Sequence, residues 1–356
     1  MIKALTFDDI LMPPKWSDVE SRNQCNTSSN FSRNVRLTVP IASANMRTVT
    51  GPEMCNAMAL AGGIGILHRA HPAFKDWRAD IDKIDKYDID QYGISIGINT
   101  GWKDILDYVY NFNKLNSPKP RVVVIDVAHA GNSVIYSFVQ EVIEYRKTLT
   151  PKVLQNWDIV VGNIATAEAA SMYKKLDIDG LKVGVGPGAA CTTRIMTGCG
   201  VPQFTAIQEI SRVLKHSNIT LIADGGIQQP GHAAIALAAG ADCVMMGKVL
   251  SYAKESPGWT TKSEISKFTP SSDQWVKTYQ GEASFREDRA PEGVKQHIVL
   301  AAGEEPETVN TIMERYKDYI QSSMSYQNAR TIEHFQENAT FIEVSTNTLI
   351  ENKPRF

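Results

Sequence analysis

Ile159-Val160-Val161-Gly162, a helical pattern over Thr166 to Lys175, then Leu181-Lys182-Val183-Gly184-Val185: this stretch reads as strand, helix, strand. Its strand segments are continuously rather than alternately apolar, as expected of strands covered on both faces in a parallel sheet. The unit repeats in both directions. Upstream lie Val39-Pro40-Ile41-Ala42-Ser43, Gly65-Ile66-Leu67-His68, Ile94-Ser95-Ile96-Gly97-Ile98 and Val122-Val123-Val124-Ile125-Asp126. Downstream lie Thr220-Leu221-Ile222-Ala223 and Cys243-Val244-Met245-Met246, with helical patterns at Ser133 to Arg146 and His232 to Ala239. Eight strands, each followed by a helical pattern, predict a (β/α)8 barrel over residues 1–356 as one domain; a doubly wound open sheet is the alternative.

Two segments fall outside the repeat. Residues 1–38 are polar, with Pro13-Pro14 and an Asn/Ser-rich run, and are expected to wrap the barrel or reach a neighbour. Residues 251–300 follow the eighth strand and read as an insertion over the barrel mouth. A last helix is expected from about Glu307 to Ser322.

Composition limits the partners. The chain has 43% hydrophobic and 21% charged residues, ordinary for a globular protein. Lys+Arg 37 against Asp+Glu 39 leaves no basic excess for a nucleic-acid backbone or an anionic membrane. No run approaches the roughly 18 apolar residues of a membrane span, and Asp8-Asp9 breaks the first apolar run, so no signal peptide is expected. Five cysteines without a C-x-x-C pair argue for free thiols in a reducing cytoplasm. No spacing of His, Cys, Asp or Glu argues for a metal.

Barrel enzymes carry their chemistry at the C-terminal ends of the strands. After strand six comes Gly184-Val185-Gly186-Pro187-Gly188-Ala189-Ala190-Cys191-Thr192-Thr193-Arg194. Its glycines permit close backbone approach by a ligand, and its amides and carbonyls can hold an anion or a cation. Cys191 stands where a nucleophile would, with Arg194 able to favour thiolate; a small buried cysteine beside a tight turn reads equally from spacing. Asp224-Gly225-Gly226 after strand seven suits a ribose diol, or is a helix N-cap. Gly247-Lys248 after strand eight lies where barrels bind phosphate. Asp126-Val127-Ala128-His129 places another acid at a strand end, while His68 and His129 read as structural.

The string from Lys182 to Arg194 resembles the catalytic-cysteine loop of the IMP dehydrogenase and GMP reductase superfamily. Thr6-Phe7-Asp8-Asp9-Ile10-Leu11, Gly162-Asn163-Ile164-Ala165-Thr166, Ile222-Ala223-Asp224-Gly225-Gly226-Ile227 and Ser256-Pro257-Gly258 are similar to other family strings, so the resemblance spans the chain. It implies a homotetrameric barrel acting on a purine nucleotide with a nicotinamide cofactor, through a cysteine thioimidate at carbon 2 of the base. The dehydrogenase passes hydride to NAD and hydrolyses the adduct to XMP; the reductase expels ammonia from GMP and takes hydride from NADPH.

Three features resemble the reductase. His68-Arg69-Ala70-His71-Pro72 runs to strand three with no room for a regulatory domain pair. Between Ser284 and Arg289 stand only Phe285-Arg286-Glu287-Asp288, spanning roughly 14 Å at most, which is too short for the dehydrogenase flap and its Arg-Tyr pair. Glu20-Ser21-Arg22 and Ser43-Ala44-Asn45-Met46 are similar to reductase versions. A dehydrogenase without regulatory domains, or a weakened purine-nucleotide-binding protein, are the other readings.

The resemblance implies Cys191 as nucleophile, with Thr193 and Glu292 as its proton-transfer partners. Asp224, Gly225 and Gly226 hold ribose; Gly247, Lys248, Tyr279, Gly281, Glu282 and Ala283 surround the nucleotide; Arg289, Ala290, Pro291 and Gly293 line the base. Ser21, Arg22, Arg69, Asp126, Val127, Ala128, Val185, Gly186, Ser322 and Tyr326 are implied cofactor contacts. Gly186, Gly188, Cys191 and Arg194 resemble a monovalent-cation site, such as one for potassium. Three positions depart from the family: Ala189 replaces a phosphate-contacting Ser, Lys248 a Gly or Ser, and Glu282 a Met.

Overall fold

A computed structural model describes residues 3–71, 73–98, 101–112, 119–150, 155–261, 274–281, 294–301 and 303–352. Eight parallel strands close a barrel in chain order. They are β1 (Ile41–Ser43), β2 (Ile64–Leu67), β3 (Tyr92–Ile96), β4 (Val122–Asp126), β5 (Asp158–Ile164), β6 (Gly180–Val183), β7 (Thr220–Asp224) and β8 (Cys243–Met246). The seam is β8 on β1, with Val244 opposite Ile41. This is the (β/α)8 architecture expected from the strand–helix repeat. The helices between strands are α1 (Pro52–Leu60), α2 (Phe74–Asp85), α3 (Trp102–Leu106, continued by a π-helical turn at Asp107–Phe112), α4 (Ser133–Thr148), α5 (Ala167–Tyr173), α6 (Thr193–Thr197), α7 (Gln203–Leu214) and α8 (Pro230–Ala238). After β8 come α9 (Lys248–Ser251), α10 (Val309–Tyr326), α11 (Ile332–Asn338) and α12 (Thr346–Glu351). No helix of the described residues is long and apolar enough to cross a membrane.

Strand periodicity sorts the side chains. Ile64 and Ile66, Val122 and Val124, Ile222, Cys243 and Met245 fill the barrel interior together with Phe31, Val35 and Leu37. Those last three come from a hairpin, Ser29–Ser32 with Val35–Leu37, that plugs the N-terminal mouth. The intervening residues, such as Val123, Ile125, Leu221 and Val244, pack against the helices. Continuing the inward face by two residues brings Asp126 after Val124 and Asp224 after Ile222 to the upper end of the interior. Register supplies the third charge: Asp126 lies opposite Gly162, Gly162 opposite Lys182, and Lys182 opposite Ile222.

Several boundaries differ from the sequence reading. β6 ends at Val183 because Gly184 has φ +152°, and a Cβ there would lie 2.0 Å from the Asp224 carbonyl oxygen. β3 begins two residues earlier than expected and β5 runs on to Ile164. The final helix is longer than expected, and α11, α12 and a strand at Ile342–Glu343 follow it. That strand pairs antiparallel with Ile10–Leu11, tying the N-terminal extension down. The insertion after β8 holds an antiparallel sheet of β9 (Thr260–Thr261), β10 (Trp275–Gln280) and β11 (Lys295–Val299). Lys277 of β10 anchors it, donating to the Thr48 carbonyl at 2.9 Å and to the Ser256 hydroxyl, with the Trp259 ring 5.5 Å away. Burial pushes its amine down to about 7.

Candidate active site

A cavity of about 180 Å³ opens at the C-terminal ends of the strands. Its floor is a charged network. Lys182, fully enclosed, donates to Asp224 Oδ2 at 2.7 Å, to Asp126 Oδ1 at 3.4 Å and to the Asn163 side-chain oxygen. The Asn163 amide donates to Asp224 Oδ2 at 2.9 Å and to the Gly184 carbonyl at 2.7 Å. Arg69 Nε reaches Asp126 Oδ2 at 3.1 Å. Gly162 makes the arrangement possible: a Cβ there would lie 2.4 Å from the Cβ of Lys182. Burial disfavours the Lys182 ammonium, but Asp224 and Asp126 more than offset it and hold its pKa above the ordinary lysine value. Burial likewise opposes the Asp126 carboxylate, and Lys182 and Arg69 reverse that, keeping it below the ordinary carboxylate range.

The wall of the cavity is the cysteine loop. Cys191 is half-buried and its thiol donates to Thr193 Oγ1 at 3.2 Å. Arg194 braces the loop from behind, with Nε on the Val185 carbonyl at 3.2 Å and Nη2 on that of Val201. It lies between two glycines with left-handed φ: a Cβ on Gly186 (φ +88°) would meet Arg194 Cγ at 2.4 Å, and one on Gly200 (φ +155°) at 2.6 Å. Burial lowers the guanidinium's pKa and the nearby Cys191 sulfur partly offsets this. Gly225, at φ +92°, packs directly under the loop, where a Cβ would lie 3.1 Å from the Gly188 amide. The Gly188 and Arg194 carbonyls accept from the Cys191 and Gly198 amides at 3.0 Å each. Each oxygen keeps a second lone pair free to accept a further partner.

The cavity brings together Cys191, Thr193, Asp224, Gly225, Tyr279, Gly281, Arg69, Asp126, Val127, Ala128, Val185, Gly186 and Gly188 from the expected site. Asp224 is the last residue of β7 and is no N-cap; Gln229 occupies the N-cap position of α8. Burial, with Asp224 and Cys191 nearby, raises the Tyr279 phenol's pKa. Gly247 sits behind Tyr279, and Gly226 against the Phe7 ring. Lys248 opens α9 and lines a neighbouring cleft with Gln228, Glu307 and Arg315. Ser21, Arg22, Ser322 and Tyr326 lie apart from the cavity. Arg22 pairs with Asp318 at 3.0 Å and Ser322 donates to the Asp318 carbonyl at 2.9 Å, while Tyr326 is exposed. Glu282, Ala283, Arg289, Ala290, Pro291, Glu292 and Gly293 lie outside the described residues. Val294, just after them, donates its amide to the Ala190 carbonyl at 3.0 Å, so the chain returns beside Cys191.

Sequence reasoning gave no role to Lys182 or Asn163. The available signal was a lysine inside a buried strand: an enclosed charge demands partners, and the acids at the ends of β4 and β7 were the candidates.

The family model of the IMP dehydrogenase / GMP reductase domain matches residues 4–355. The chain is 33% identical to a GMP reductase of Lactobacillus delbrueckii subsp. bulgaricus over 336 residues, covering 93% of this chain and 92% of that protein. It is 30% identical to the GMP reductase of Ascaris suum, over 97% of this chain and 94% of that one. It is also 30% identical to the inosine-5'-monophosphate dehydrogenase of Borreliella burgdorferi over 406 aligned residues, with 99% of this chain and 96% of that protein covered.

Proposed function

This chain belongs to the IMP dehydrogenase/GMP reductase family of oxidoreductases, and from that premise we propose that it converts GMP, or a closely related guanine nucleotide, to IMP and ammonia. The observation that carries the reductase reading is the short path across the cavity rim. Gly281 lines the cavity and Val294 is bonded to Ala190, with only twelve residues between them. Of these, only Phe285-Arg286-Glu287-Asp288 stand where the dehydrogenase pattern has its water-activating flap, and that shortness supports the reductase reading. Relatives of both names match the chain; one length difference supports the reductase reading, since the alignment to the Borreliella dehydrogenase runs to 406 positions against a chain of 356, whereas that to the Lactobacillus reductase needs 336.

In this reading the Cys191 sulfur attacks carbon 2 of the base, and the carbon–nitrogen bond to the exocyclic amine breaks. Thr193 and Glu292 relay the proton that lets the amine leave as ammonia, giving a thioimidate on Cys191. A reduced nicotinamide, NADPH in the family pattern, supplies the hydride when bound. Carbon 2 accepts that hydride, the carbon–sulfur bond breaks, and Cys191 is released as thiolate. Asp224, held through Oδ2 by Lys182 and Asn163, offers Oδ1 to the ribose diol. Arg69, Asp126, Val127 and Ala128 form the cofactor side, with Val185 and Gly186 between the two ligands. The carbonyls of Gly186, Gly188, Cys191 and Arg194 would hold a monovalent cation and with it the loop's shape. A single barrel unit in a cytoplasmic homotetramer, with Ser21, Arg22, Ser322 and Tyr326 turned toward a neighbouring copy, belongs to the same reading.

The test is to incubate the protein with GMP, dGMP or IMP, each with reduced and oxidised cofactors. Nicotinamide absorbance, released ammonia and separated products are then followed. Loss of NADPH with equal ammonia and IMP is expected. XMP from IMP and NAD would establish the dehydrogenase instead, and no turnover with intact nucleotide binding would establish a binding protein.

A further inference from the structure

The two histidines that flank Arg69 take no part in the cavity. His68, directly after β2, is 5% exposed, and the side chain of His71 is 8% exposed. Their rings stack with centroids 4.2 Å apart and a tilt of 13°. His71 Nε2 lies 2.9 Å from Asp80 Oδ2 on α2. One donor atom from each of His68, His71 and Asp80 can be chosen so that all lie within 4.8 Å of one another. Both Nδ1 atoms are buried with no hydrogen-bond partner among the described residues. A buried imidazole ordinarily satisfies both nitrogens, and here two left short stand side by side.

We infer that His68, His71 and Asp80 form a divalent metal site for an ion of the zinc class, with water in the open position. The donor set of two imidazole nitrogens and one carboxylate oxygen suits zinc and its first-row neighbours and is poor for calcium or magnesium. Bonds of about 2.0–2.2 Å in a tetrahedral site put donors roughly 3.3 Å apart, so binding would draw the three donors in from their 4.8 Å spread and turn the two rings out of their parallel stack. Face-to-face imidazoles cannot both carry a proton's charge. Arg47 brings a positive charge toward His68, but it has partners of its own, and Asp80 supplies the opposing charge. The Asp80 side chain is 29% exposed, which gives the ion and its water a way in.

The location gives the site a purpose that does not depend on the proposed reaction. The His71 amide donates to the Arg69 carbonyl at 3.0 Å, so the segment is a tight turn. Arg69 leaves that turn on the other side to reach Asp126. An ion joining the turn to α2 fixes the backbone that presents Arg69 to the cavity.

Untagged protein, stripped with chelator and dialysed, is titrated with Zn²⁺ and separately with Co²⁺. Bound metal per chain, the visible absorption of cobalt and the thermal midpoint are measured. One equivalent per chain, a low-coordinate cobalt spectrum and a raised midpoint are expected. Asp80→Asn, on the exposed edge, and His71→Ala should each weaken binding tenfold or more and abolish the metal-dependent rise. If wild-type protein takes up no metal at micromolar concentration, or if Asp80→Asn binds as tightly as wild type, the site does not exist. Because the readouts are binding and stability, the inference stands or falls apart from any turnover assay.

Discussion

Cys191 and Thr193 meet at 3.2 Å on the cavity wall, while the polar groups that the proposed function assigns to the nucleotide lie on the floor and the glycine turns. Chemistry and affinity are therefore separable. Cys191→Ala should abolish turnover while leaving nucleotide affinity, read by calorimetry, within a few-fold; appreciable residual turnover would rule out the covalent route. Lys182 is the opposite case, a residue whose loss is felt in the framework. Lys182→Met keeps the length of the side chain and leaves Asp126 and Asp224 facing one another across Gly162 without their shared cation. Removing one partner of a buried ionic group costs about 3–5 kcal/mol, so the variant should melt well below wild type. Nucleotide affinity should fall with it, because Asp224 loses its 2.7 Å anchor. Adding the substitution Asp126→Asn should recover part of the stability, which distinguishes charge compensation from simple packing.

At the level of elements, the sheet β9–β11 is held to the barrel by a buried amine. The Lys277 pKa drops from its ordinary 10.5 to about 7 on folding. Folding thus disfavours the charged form. The penalty is absent above the unfolded value, grows as pH falls through the window between 10.5 and 7, and is constant below. Measured against Lys277→Met, the wild-type melting midpoint should fall as pH is lowered from 10 to 7 and stay parallel below that; a flat difference would mean the amine is solvated. This sheet was not legible in the sequence beyond being an insertion, because its strands are short, mixed in polarity and Lys-bearing. The eight barrel strands were legible because burial on both faces demands unbroken β-branched runs such as Val122-Val123-Val124-Ile125. Their ends were less so: Gly184 reads as strand until its carbonyl neighbour in β7 is placed beside it. The cysteine loop and the Asp224-Gly225-Gly226 turn stood out by their glycines and their place after strands, but residue type left Cys191 open between nucleophile and buried thiol, and Asp224 between ribose ligand and N-cap. The Lys182 network and the His68–His71–Asp80 cluster were not, since each depends on residues from separate elements meeting.

For the molecule as a whole, the segment before β1 buttresses the Gly225-Gly226 turn after β7. Phe7 is 4% exposed, stacks on His232 with centroids 5.6 Å apart, and lies against Gly226. Phe7→Ala should cost about 3–5 kcal/mol in chemical denaturation and raise the KM for nucleotide more than it lowers kcat. An unchanged KM would show that the Gly225-Gly226 turn stands without its support. The pairing of Ile10–Leu11 with Ile342–Glu343 has a consequence for biosynthesis. On a ribosome adding roughly 5–20 residues each second, the strand at residue 10 waits some 20–70 s, by that same rate, for its partner to be made. Throughout that interval the early segment has neither its strand nor, until α8 emerges, the ring on which Phe7 rests. Nascent chains stalled before residue 340 should be cut by protease near residues 5–20 while the barrel resists, and chains stalled long enough to expose residue 343 should lose that sensitivity.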